Sequence, residues 1–243
     1  MSATLRARTA LGASLVLALA LTAGAFAPWE PMPPRVREMC GEPPVAEESL
    51  CNVHEELRDA YLLVERIVGE EGDDVPDRAR AMVRDRLVTV EWLHGADPTS
   101  VRAGLAGMYA ESSHQVLLPQ GLRSEPLRVR ASVVAHELGH AALLYDNVSA
   151  GLRPAELCLD HEARAYKVGI RAYDRARQLV QEPPGDEGSV DRHLADEMAM
   201  WQRLSGGDSL TAAGLDDLAT RHVFIHCYAV DCNWRERVGV GRA

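Results

Sequence analysis

The sequence predicts a mostly helical α+β domain with one small sheet, carried behind an export leader. Three observations lead there. Aromatic residues make up only 5% of the 243, and phenylalanine occurs at Phe26 and Phe224 alone. The core must therefore be built from Leu, Val and Ala, a palette that favours helices over strands. Apolar residues also recur at helical spacing through most of the chain, and one short stretch between Gly107 and Pro119 reads differently. Finally, 47% hydrophobic and 26% charged residues are the proportions of a globular protein. They exclude a chain disordered throughout, a collagen-like repeat and a multi-span membrane protein.

Each element has its own signal. Arg6 and Arg8 precede an uncharged apolar run from Ala10 to Ala27, with small residues at Ala23, Gly24 and Ala25. This is the layout of a secretory signal, so residues 1–25 are expected to be a signal peptide cut after Ala25. The rival reading is an uncleaved anchor, because the run is just long enough to span a bilayer. Residues 26–48 are rich in Pro and Glu and read as an extended linker or arm. Residues 49–243 then form a single domain. Leu57, Tyr61, Val64 and Val68 mark a helix over Leu50 to Val68. A second helix starts at Val75-Pro76 and is expected to run through Met82, Leu87 and Val90 to about His94, where Gly95-Ala96-Asp97-Pro98 breaks it. His114 to Leu118, bounded by Pro119 and Gly121, is the best strand candidate. Pro126 opens a long helix to about Tyr145, and Asn147 to Pro154 is a loop. Further helices cover roughly Ala155 to Val180, Val190 to Leu204 and Ala212 to His222.

Charge and cysteines bound the partners and the compartment. The net charge is -10, from 26 basic and 36 acidic residues, so no general nucleic-acid footprint is present. Export permits disulfides, and the five cysteines (Cys40, Cys51, Cys158, Cys227 and Cys232) leave one thiol over. Proximity in sequence suggests Cys40 with Cys51 and Cys227 with Cys232.

The chemistry lies in His136-Glu137-Leu138-Gly139-His140, inside the longest apolar helix. Positions four apart share a helix face, so both imidazoles can reach one ion. Glu137 beside them can serve as general base. Val133-Val134-Ala135 before and Ala141-Ala142-Leu143-Leu144 after make this a buried helix, where polar groups are costly unless partnered. Zinc sites of this kind take three protein ligands and leave a fourth position for water. A histidine six positions beyond His140 would complete one known pattern, but Asp146 stands there. The next candidates are Asp160, His161 and Glu162 on the following helix. Their separation suits a helix, a loop and an antiparallel return, and Ala163 and Ala165 permit close approach.

With these residues the chain resembles the gluzincin metallopeptidases, the H-E-x-x-H…E class, over about Met108 to Tyr173. The resemblance implies a zincin-like core in which the H-E-x-x-H helix packs on a following ligand-bearing helix. It implies zinc as cofactor, held by His136, His140 and Glu162, with Glu137 activating water; His161 is the main rival to Glu162. It also makes His114 to Leu118 similar to the family's substrate-binding edge strand. Tyr166, His222 and His226 are candidates for stabilising an oxyanion, although each also reads as a packing or tail residue. A second zinc site from His222, His226, Cys227 and Cys232 suits an oxidising compartment poorly. Glu70-Glu71 with Asp73-Asp74 reads as a solvated acidic turn, and Arg123, Arg128 and Arg130 as surface charges. His54, His94 and His193 receive no role.

The leading expectation is an exported zinc-dependent peptidase acting on protein or peptide, in the periplasm, the cell envelope or outside. Membrane attachment follows if the leader stays uncleaved. Two alternatives remain open: a non-catalytic envelope binding protein with a zincin-like fold and a structural metal, and a zinc hydrolase of non-peptide amides. Glu137 separates the enzymes from the binder, since only catalysis needs it.

Overall fold

The computed structural model describes residues 32–41, 49–67, 73–94, 107–149, 158–183, 185 and 189–205. The leader, the helix expected at Ala212 to His222, and Cys227 and Cys232 lie outside the described residues. Among the described residues no helix is long and apolar enough to cross a membrane.

The segment read as an extended arm contains a helix. Residues Pro34–Cys40 form α1, with Pro34 at the first helical position, where its missing N–H costs nothing. Gly41 ends the helix at φ 77°, its N–H donating to the Arg37 carbonyl at 2.8 Å. Val36 is fully buried, and a disulfide joins Cys40 to Cys51 across 11 positions, as proximity suggested. Such a bond persists in oxidising compartments, in keeping with an exported chain. Arg35 reaches Glu91, donating from Nε to both carboxylate oxygens at 3.0 and 2.9 Å. Burial alone would raise the Glu91 pKa. The hydrogen bonds from Arg35, the Thr89 hydroxyl and the Gln115 amide outweigh it and hold the carboxyl below its usual range.

A short 3-10 turn at Glu55–Leu57 leads into α2, Arg58–Val64, whose Ala60, Tyr61 and Val64 are buried. The next helix, α3, covers Val75–Arg84 and stops well before His94. Arg86 adopts a left-handed φ of 56°, and the N–H groups of Leu87 and Val88 both donate to the Met82 carbonyl. The buried Asn52 amide pins this turn by donating to the Val83 and Val88 carbonyls at 2.9 and 2.8 Å. Beyond the turn the chain becomes a strand. Residues Thr89–Trp92 form β1, all four buried. Leu87 and Val90 mimic helical spacing, but Val88, Thr89 and Val90 are β-branched and fit a pleated surface better.

Two more strands complete the sheet, β2 at Met108–Ala110 and β3 at Gln115–Leu118. The order is β1-β3-β2, with β3 parallel to β1 (Val90 opposite Val116) and antiparallel to β2 (Tyr109 opposite Val116). The strand predicted around His114 to Leu118 is therefore present but central, not an edge, because partners arrive on both sides. The outer side of β1 is engaged by the chain at Asn52 to His54. Among the described strands, β2 is the one left at an edge.

Two long helices follow, the first packed on the sheet and the second packed on the first. Leu127–Ser149 make up α4 and Cys158–Leu179 make up α5, and their mutual interface is the most extensive between any two described elements. α4 also packs on α2, α3 and the sheet, which accounts for its apolar residues on nearly every face. The last described helix, α6, is Val190–Ser205.

One charge expected at the surface lies inside. Arg128 is 5% exposed and donates from Nε and Nη2 to the two oxygens of the buried Asp191 at 2.6 and 2.7 Å. It also donates to the carbonyls of Glu182 and Pro183. The Tyr173 hydroxyl and the Gly185 N–H donate to the same carboxylate, while the Glu182 carboxylate accepts from the first N–H groups of α4. A guanidinium on the first turn of α4 thus ties α4 to α6 and to the turn before it. Arg123 does lie at the surface, over the Trp92 ring and beside Glu56.

Candidate metal centre

His136 and His140 stand one turn apart on α4, as H-E-x-x-H spacing requires, with ring centroids 4.7 Å apart and planes at 80°. Their Nε2 atoms are separated by 3.1 Å. Glu162, in the first turns of α5, brings Oε2 to 3.3 Å from His140 Nε2 and 3.7 Å from His136 Nε2. The three ligand atoms lie within 4.8 Å of one another, and among the described residues this is the group that could hold a metal ion. Glu162, not His161, is the acid or base from α5 that joins the histidines. His161 is buried but outside the group. The side chain of Asp160 lies outside the described residues.

The triangle has the size of an ion site. A tetrahedral ion with bonds of ~2.0–2.1 Å separates its ligand atoms by roughly 3.3–3.4 Å, and the observed edges bracket that value. Two imidazole nitrogens and one carboxylate oxygen form a donor set that suits zinc and similar divalent ions. The histidine side chains are each 19% exposed and Glu162 8%, so the group sits at a rim where a further ligand can enter.

Close approach of α4 and α5 makes this convergence possible. A Cβ on Gly139 would meet the Ala165 backbone at 3.1 Å, and one on Gly169 would meet the Ser132 carbonyl at 3.0 Å and His136 Cβ at 3.1 Å. Glycine on each helix thus faces a small residue on the other, Gly139 against Ala165 and Gly169 against Ser132, next to the ligands. Ala165 belongs to the small-residue run that predicted such approach. Gly169 carried no signal, because its need arises from the facing helix.

Glu137 is 5% exposed, and its side chain extends to the start of β2, where it packs against Gly107. The sequence marked Gly107 only as the start of the stretch that reads differently, with no link to Glu137. Tyr166, one turn beyond Glu162, is buried and donates its hydroxyl to Glu197 Oε2 on α6 at 2.7 Å. Glu197 lies in turn 3.4 Å from His193 Nε2. The expected oxyanion donor therefore already has an acidic acceptor. His222 and His226, the other candidates for that role, lie outside the described residues.

The chain matches no protein-family model, no curated protein sequence and no solved structure.

One acid and two imidazoles on adjoining turns of α4, joined by an acid from α5, can do specific chemistry. The group at His136, His140 and Glu162 can bind a cation. Glu137, covalently next to a ligand and shielded from bulk water, can hold and transfer a proton.

Proposed function

We propose that the protein is an exported zinc-dependent peptidase of gluzincin type. The observation that carries this reading is the convergence of His136, His140 and Glu162 with an acid, Glu137, in the intervening turn. A zinc ion bound there would supply Lewis acidity and bring the ionisation of water toward neutral pH.

The chain's own residues supply the rest. Glu137 accepts a proton from the attacking water as its oxygen adds to the peptide carbonyl carbon. It returns that proton to the amine nitrogen as the C–N bond breaks, so hydrolysis leaves a carboxylate and an amine. Burial of Glu137 keeps competing water away from this exchange. The edge strand β2 begins beside Glu137 and offers main-chain groups to an extended segment, the recognition mode of a peptide rather than of a compact ligand. The Cys40–Cys51 disulfide supports an extracytoplasmic site of action.

The test is direct. Purified protein should carry about one zinc per chain, and Glu137→Gln should lower peptide hydrolysis by ~10²–10⁴-fold while keeping the metal. Zinc-loaded wild type that cleaves nothing in a diverse peptide library would overturn the proposal.

A further inference from the structure

We propose that Gly107 is a positioning residue for Glu137: the absence of a side chain there sets where the reactive carboxylate rests. This inference rests on the reading of Glu137 as the proton-transferring acid.

The geometry is local. A Cβ built at Gly107 would lie 2.8 Å from Glu137 Oε1, 3.0 Å from Glu137 Cγ and 2.8 Å from Val133 Cγ1. The chain entering β2 thus crosses α4 at the face shared by Val133 and Glu137, one turn apart. Any side chain at 107 competes for the volume the carboxylate occupies. The two neighbours differ in how they can respond. Val133 is β-branched, stiff at χ1, and buried on the helix. Glu137 presents the far end of a flexible side chain, so the carboxylate is what gives way. A methyl group there should cost some stability through Val133 and much more in rate, because a displacement near 1 Å can cost ~10²-fold.

Two of the three nearest atoms belong to Glu137 and the third to Val133, so the glycine makes room for the carboxylate as well as for the packing of α4.

The experiment compares zinc-loaded wild type with Gly107→Ala in three readouts: bound zinc, kcat against KM on a peptide substrate, and the 13C carboxyl resonance of Glu137. The resonance is assigned by its loss in Glu137→Gln. Gly107→Ala should keep one zinc per chain and a KM within about threefold, with kcat lowered ~10²-fold and the Glu137 resonance shifted. An unchanged kcat with an unshifted resonance overturns the inference. If wild type itself hydrolyses no peptide, the peptidase reading fails, and the resonance alone decides: shifted supports the positioning role, unmoved refutes it. Should Gly107→Ala fail to fold, Val133→Ala makes room beside the added methyl, and Gly107→Ala/Val133→Ala is measured against Val133→Ala. Failure of that pair to fold would make the residue a packing requirement and sink the proposal.

Discussion

Helices α4 and α5 carry two polar clusters, and they are built on opposite principles. At the first turn of α4, Arg128 presents a planar fork to Asp191, and Tyr173 and the Gly185 N–H add donors to the same carboxylate. Donors meet acceptors, and charge meets counter-charge. Two turns further along, His136, His140 and Glu162 bring three lone-pair-bearing atoms together. Protons can bridge such atoms pairwise, while one divalent ion engages all three. The first cluster is complementary to itself; the second is complementary to a cation. The first is buried and the second half-buried, so burial by itself says little about function. The chemistry of the converging atoms does.

The largest effect should come from breaking the self-complementary cluster. Asp191→Ala leaves Arg128 buried without its carboxylate, and loss of one partner of such a pair costs ~3–5 kcal/mol. Chemical denaturation should show this cost with or without zinc. A loss below about 1 kcal/mol, the range of an exposed pair, would mean that Arg128 and Asp191 do not clamp α4 to α6. Acid provides a second route. Burial opposes ionisation of Asp191, but the hydrogen bonds from Arg128, Gly185 and Tyr173 prevail and depress its pKa to about 2. A depressed carboxyl stabilises fully above its unfolded value near ~3.9 and loses that contribution as pH falls toward about 2. Wild type should therefore weaken across that window, and Asp191→Ala should lack this component.

The cation-complementary cluster should respond to metal instead. Zinc at ~100-fold above its dissociation constant should stabilise wild type by about 2.7 kcal/mol. Glu162→Ala should abolish the gain and His161→Ala should keep it. The reverse pattern would transfer the third-ligand role to His161. Asp191→Ala should retain the zinc increment on its lowered baseline, because the two clusters share no residue.

The smallest effect sharpens the contrast at the helix crossing. Gly139→Ala adds a methyl group against the Ala165 backbone, an overpacking cost of about 1–3 kcal/mol set against a helix-propensity gain of up to ~1 kcal/mol. Zinc affinity should fall with it, because the helices that carry the ligands are pushed apart. Unaltered zinc affinity with lowered stability would show that the triad does not depend on that close approach.

How much of the molecule was legible in the sequence varies with the range of the interaction. H-E-x-x-H reads directly, because four residues along a helix are neighbours in space whatever surrounds them. Glu162 was reachable through the small residues after it and the resemblance those positions carry. β1 was not, because Leu87 and Val90 keep helical spacing and only the left-handed turn at Arg86 breaks the helix. Strand β3 was legible as a strand but not as the centre of a sheet, since its neighbours come from segments on both sides. Arg128 looked like any surface arginine, for its partner lies 63 positions away.

By itself, the chain's order of residues determined what short-range physics decides: helical content and the spacing of the two imidazoles with an acid between them; it suggested the pairing of Cys40 with Cys51, which the fold then showed. Tertiary structure decided that Glu162 and not His161 meets those imidazoles, where Gly139, Gly169 and Gly107 leave little room for a side chain, and which arginine is buried. The reason is physical: a helix repeat is satisfied within a few residues, whereas excluded volume and charge neutralisation are settled only when distant segments arrive in the same place.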